Sequence, residues 1–330
     1  MRQDSSRPRW IPAAAALLAL ASLALAPVAA RAEDEAAVRD LLDGEEADSE
    51  LTAEEAPSET PAEPNRPPAA VREIRQLARK AIAHMDKGEY AQALPLIEQA
   101  LARAPNTAKL WAYKGTCLFY MARAEEALVA FDQALALRKD SYTALAGKGL
   151  ALLALERWQE SQVPLRAALE IKPKRPPLLR SLGISQLYGG DPEAALASFR
   201  RAIELLPGVS GTHELEGAAL FRLERYEEAI AAYDKAIQLD PLSDEAVMSK
   251  ASCLVKLGRH EEALPLYDRA LGMNPLSARA LYSKGEALRL LGRKGESRKL
   301  LQKAMAIQPN LPGVRESLEA LGPAPTPKPR

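Results

Sequence analysis

Histidine and cysteine are almost missing from this 330-residue chain, which holds three of the first and two of the second. His84, His213 and His260 lie far apart, with no Cys, Asp or His at metal-ligand spacing, and no H-E-x-x-H occurs. The usual zinc and metalloprotease arrangements therefore have no residues to use. Cys117 and Cys253 are 136 residues apart, a whole multiple of the period described below. On a rod of stacked helices that separation far exceeds the ~7 Å limit for a disulfide, so two buried thiols are expected. The chain also lacks G-x-x-x-x-G-K-[ST], G-x-G-x-x-G and G-x-S-x-G. Phosphate-cradling loops and the nucleophile elbow are thereby excluded. No catalytic residue, cofactor-binding residue or metal ligand is nominated, and no cofactor is expected. Aromatic residues make up only 5% of the chain and net charge is zero. The local basic clusters, Lys172 to Arg180 and Arg293 to Lys303, lack interleaved aromatics, so they are read as solvated helix faces and no nucleic acid is expected.

What the chain has instead is a 34-residue period running from Ile74 to Leu311 without a gap. In seven frames the twenty-seventh residue is always Ala, from Ala100 to Ala304, and the thirty-second is Pro except at Lys139. Small residues recur at the eighth position (Gly115, Gly149, Gly183) and the twentieth (Ala127, Ser161, Ala195). Large ones recur at the twenty-fourth (Phe131, Leu165, Phe199). Within each frame apolar residues follow a helical spacing twice, and Gly or a charged residue near the fifteenth position separates the two runs. Each frame reads as a helix–turn–helix hairpin. A hairpin this small cannot hide enough apolar surface alone, so neighbours must stack. Pro95, Pro164 and Pro265 fall just inside second helices, where local bends are expected.

The ends differ from this array. Residues 1–32 combine Arg2, Arg7 and Arg9, an apolar run from Ile11 to Ala26, and Ala30-Arg31-Ala32 before Glu33. That is the pattern of a cleaved signal peptide of bacterial style. It places the mature chain in the periplasm or outside the cell, with no stable membrane insertion after cleavage. The alternative is an inner-membrane anchor through residues 11–30, which are about long enough to span a bilayer. Residues 33–73 form an acidic, Pro-rich linker: residues 33–63 carry 13 acidic residues against the single base Arg39. Such a composition is expected to be disordered. Residues 74–330 are mildly basic, with 37 cations against 29 anions. Residues 312–322 are expected to form a capping helix, and the Pro-rich residues 323–330 a disordered tail.

Trp111, Lys114-Gly115, Leu118, Ala127, Phe131 and Ala134 together resemble the tetratricopeptide repeat, W-x2-L-G-x2-Y then A-x3-F then A then P. Leu182-Gly183, Ala195, Phe199, Ala202 and Pro207 repeat the match, as do Ala229, Tyr233, Ala236 and Pro241. The resemblance covers all seven frames and implies an all-α fold, a right-handed α-solenoid closed by the capping helix. It also implies a concave groove, lined by first helices, that holds an extended peptide or a partner's helix. The stripe assigned to that groove contains Tyr113, Phe119, Tyr120, Tyr188, Phe221 and Tyr282. Among them stand Arg75, Arg79, Lys109, Arg180, Arg222, Lys256, Arg279 and Arg289, against Asp86, Glu214, Glu245 and Glu286. Aromatic and Arg side chains are the usual anchors of interfaces. For Phe119 and Phe221, packing between neighbouring first helices stands beside the groove role. The expected partner is a protein or peptide with acidic and apolar residues. The Asn-lined and Lys–Asn variants of the groove are not matched, since Asn106, Asn274 and Asn310 all sit in inter-frame turns. An exported, non-enzymatic scaffold is the resulting expectation, with a self-associating structural subunit or accessory part of an envelope assembly as the alternative.

Overall fold

The structure, a computed structural model, describes residues 69–322. The expected signal peptide, nearly all of the acidic linker and the C-terminal tail lie outside the described residues. Those described form fifteen α-helices and no strand. They fall into two compact units, one ending at Asp191 and the other beginning at Pro192.

The first unit holds α1 (Ala69–Met85), α2 (Tyr90–Arg103), α3 (Ala108–Tyr120), α4 (Ala124–Leu137), α5 (Tyr142–Ala154), α6 (Trp158–Ile171) and α7 (Pro176–Gly189). The second holds α8 (Pro192–Leu205), α9 (Ser210–Arg222), α10 (Tyr226–Leu239), α11 (Asp244–Lys256), α12 (His260–Met273), α13 (Ala278–Leu290), α14 (Lys294–Ile307) and α15 (Val314–Ala320). Within each unit every helix packs chiefly on its neighbours in sequence. Each 34-residue frame that lies within one unit is thus one antiparallel pair, the expected tetratricopeptide hairpin. The fourth frame contributes α7 to one unit and α8 to the other. Helix α1 begins at Ala69, so its first turn precedes the frame that opens at Ile74. The capping helix is present as α15 over the last frame.

The turn inside each frame explains the fifteenth position. All seven residues there have positive φ: Gly88, Ala122, Glu156, Gly190, Glu224, Gly258 and Gly292. The next residue donates its N–H back to the carbonyl five residues earlier, as in Arg123 to Leu118 (2.9 Å) and Arg259 to Leu254 (2.8 Å). This left-handed closure satisfies carbonyls that a helix end leaves without partners. In five frames the sixteenth residue is an Arg whose guanidinium pairs with a Glu three residues on, among them Arg157–Glu160 (2.7 Å) and Arg293–Glu296 (2.6 Å).

Packing explains the small residues. The Phe131 ring is wholly buried and lies against Gly115 and Gly147, where a Cβ at Gly115 would come within 2.6 Å of the ring. Tyr233 covers Gly217 and Leu301 covers Gly285 in the same way. The eighth position must be small because the twenty-fourth is large. A second link joins the fourth position to the preceding Pro: Trp111 donates its indole N–H to the Pro105 carbonyl (2.7 Å). His213 takes the Trp place in the fifth frame, its Nε2 3.0 Å from the Pro207 carbonyl. Cys117 and Cys253 are buried and free, and burial pushes both thiols up to about 12. Helices α2, α6 and α12 continue through Pro95, Pro164 and Pro265.

Consecutive frames are also keyed by charge. The twenty-fifth residue of one frame meets the seventh of the next in Glu98–Lys114 (2.9 Å), Asp132–Lys148 (2.5 Å), Asp234–Lys250 (2.5 Å) and Asp268–Lys284. At one junction the polarity is reversed, with Arg200 facing Glu216 at 3.1 Å.

Candidate binding faces of the first helices

In the first unit the face assigned to the groove is built on α1, α3, α5 and α7. Tyr113 is half-buried on α3, and the Lys109 ammonium lies 6.0 Å from its ring centroid. At the end of α3 the Tyr120 ring stacks on Tyr90, the first residue of α2, with centroids 4.3 Å apart and planes within 3°. Phe119 meets Tyr120 edge-on at 5.7 Å. Tyr188, at the same frame position as Tyr120, sits 5.2 Å from Trp158, the first residue of α6. Tyr120 and Tyr188 therefore also serve as ring contacts between frames. Arg180 is half-buried on α7, about two helical turns before Tyr188.

In the second unit the face is built on α9, α11 and α13. Phe221 lies edge-on to Tyr226 at 5.3 Å, beside the exposed Arg222. Tyr282 lies against the cap: its hydroxyl bonds Ser317 of α15, and burial first of all raises its phenol. A Cβ at Gly313, which has φ +86°, would fall 2.5 Å from that hydroxyl. Charges on this face are partly matched within the chain. Arg279 holds Glu245 through both guanidinium nitrogens (2.7 and 3.1 Å), and Arg289 pairs with Glu286 at 3.0 Å. Glu214 accepts from the Ser243 hydroxyl at 2.7 Å. Burial is the main cause that holds its carboxyl above the ordinary range, and Glu245, Asp240 and Asp244 add to it. A depression of about 700 Å³ lies among α12, α13 and α14, and its charges include the matched pairs Lys284–Asp268 and Arg293–Glu296.

The structure brings Lys109 and Tyr113 together, groups Phe119 with Tyr120, and assigns Tyr282 to the cap. Two features escaped the sequence reading. The ring partners Tyr90, Trp158 and Tyr226 share the seventeenth position of their frames, a signal that periodicity could have shown. Arg279 and Glu245 share the second position of consecutive frames, so their pairing was likewise visible as a 34-residue spacing. Among the described residues no cluster of three metal-ligating side chains occurs, and no helix is long and apolar enough to cross a membrane.

Solved structures with the same architecture are similar to this chain. A tetratricopeptide repeat protein from Parabacteroides merdae matches at 16% identity and a TM-score of 0.54, over 76% of this chain and 99% of that one. The C-terminal part of a repeat-containing protein from Cytophaga hutchinsonii matches at 15% identity and a TM-score of 0.59, over 73% and 98%. No curated protein matches the chain. The family model for the tetratricopeptide repeat matches residues 78–124, 118–176, 180–244 and 248–312, well over half of the sequence. With its hairpins, its turns and its packing in the same register, this chain belongs to the tetratricopeptide-repeat family, whose members serve as scaffolds for protein interaction.

Proposed function

We propose that this scaffold is an exported adaptor that works in the periplasm or outside a bacterial cell, and that it binds a protein or extended peptide on its first-helix faces. The observation that carries the binding proposal is the cation–aromatic set of the first unit, Lys109 with Tyr113, on a face that also offers the exposed Arg79 and the half-buried Arg180. Such a surface suits a segment with acidic and apolar residues. The adaptor needs no catalytic role, cofactor or metal. Export rests on the basic start, apolar run and A-x-A site of residues 1–32.

A photoreactive residue placed at Tyr113 or Arg180 in the native cell is expected to capture one partner. The same residue at Leu137 or Ile171 is expected not to. Capture from the second pair alone moves the site off this face. Replacing Tyr113 and Arg180 together by Ala should weaken the captured partner's binding by about tenfold or more. Tyr120 and Tyr188 are poorer choices, since their removal also loosens contacts between frames. Export is tested by N-terminal sequencing of the chain from its host: a start at Glu33 supports it, and an intact leader in the membrane fraction supports anchoring through residues 11–30.

One observation favours the structural alternative. The thirtieth residue of the frames is apolar and exposed at Leu137 (43%) and Ile171 (43%) in the first unit, and at Leu205 (39%), Leu239 (37%) and Ile307 (43%) in the second. A self-associating subunit would bury such a stripe. Light scattering decides: a monomer at all concentrations supports the adaptor, and a concentration-dependent oligomer supports the structural subunit.

A further inference from the structure

In every frame after the first, one stripe of the first helix is covered by the preceding second helix. The third and tenth positions are buried throughout, as Leu110 and Cys117 in α3 and Ala280 and Ala287 in α13. The seventh position supplies the ion pair to the preceding frame in Lys114, Lys148, Lys250 and Lys284. Among the described residues no helix precedes α1. Its equivalent stripe, extended one turn each way, is Arg72, Gln76, Lys80, Ala83 and Lys87, and all five are exposed. Lys80 is thus the cationic half of the inter-frame pair, and no acid stands opposite it among the described residues. The one acid within α1, Glu73, is engaged by Arg103 at 2.7 Å. Asp86 adjoins Lys87 in the following turn, and Glu89, two residues after Lys87, is held by His84 at 2.6 Å.

The chain that enters α1 at Ala69 has the complementary charge. Residues 33–63 carry 13 acidic residues against one basic, and they join α1 through a short Pro-rich stretch. We propose that this acidic segment docks on the Arg72–Lys80–Lys87 stripe of its own chain, supplying the carboxylates that a preceding second helix supplies elsewhere. The segment then caps the exposed end of the array. It also competes there with any acidic partner. Short tethering raises its effective concentration at the stripe, so weak individual pairs suffice.

Zero-length carbodiimide crosslinking of the full chain tests this, because it joins a carboxylate to a lysine amine only on contact. The expected result is intramolecular crosslinks in monomers from Lys80 or Lys87 to carboxylates of residues 33–63, fading at high salt. Replacing the acids of residues 45–63 by their amides leaves the array untouched. It should speed amide hydrogen exchange in α1 by about fivefold. The pair Lys80→Glu and Lys87→Glu should do the same. The proposal is overturned if those lysines crosslink to no carboxylate of the segment, or only in covalent dimers, where a second copy is the occupant. Unchanged exchange in α1 with the amide variant overturns it as well.

Discussion

Ala122, Glu156 and Glu224 adopt φ of 59°, 57° and 59°, in the turn position where four other frames use Gly. A side chain in that region strains against its own backbone, and Gly does not. Replacing any of the three by Gly should therefore stabilise the protein by about 0.5–1 kcal/mol, and Gly258→Ala should destabilise it by a similar amount. Thermal melts of the four variants check this. The sequence announced the turn through Gly88, Gly190, Gly258 and Gly292 but concealed that the other frames take the same conformation. A residue's φ is imposed here by the two helices it joins, whatever its own preference. Glu214 makes a second prediction. Its carboxyl is held above the ordinary range chiefly by burial, with the Ser243 hydroxyl opposing the shift. The folded chain then binds that proton more tightly than the unfolded chain. Stability is fully present below the ordinary carboxylate range, and it falls as pH rises towards the raised folded value. Glu214→Gln removes that loss. The variant should be the more stable at neutral pH, and the difference should vanish in acid. Denaturant melts across pH measure both limbs.

Between helices, register decides which side chains meet. The Trp111–Pro105 and His213–Pro207 contacts link the fourth position to the thirty-second, so the repeated Pro is an acceptor as well as a breaker. The hairpins were legible because Ala, Gly and Pro recur at fixed positions, and those positions are where helices touch. The groove was less legible. Tyr120 and Tyr188 lie on the assigned face, and their rings also pack on Tyr90 and Trp158 of neighbouring helices. A spacing rule reports which way a residue points and not which neighbour reaches it. The reversed junction offers a direct test of the charge key. Glu216→Lys sets two cations opposite each other at Arg200 and should cost about 0.5–1 kcal/mol. Adding Arg200→Asp should recover the loss and reproduce the polarity found at the four acid–lysine junctions. A double-mutant cycle gives the coupling, and independent effects of the two changes would mean the pair is idle.

Within each unit, the described helices touch their sequence neighbours and little else. Stability is then a sum of hairpins and the interfaces between them. Nothing in that arrangement depends on the number of frames. The most direct test removes one of them. Deleting residues 244–277 takes out α11 and α12 and sets Ser243 ahead of Ala278. It also places Lys284 where Lys250 met Asp234. Circular dichroism of the shortened chain should show the same helicity per residue as the parent, with a cooperative melt at a lower temperature. Loss of helicity or a non-cooperative melt would contradict the account, because the hairpins would then depend on contacts that nearest neighbours do not supply.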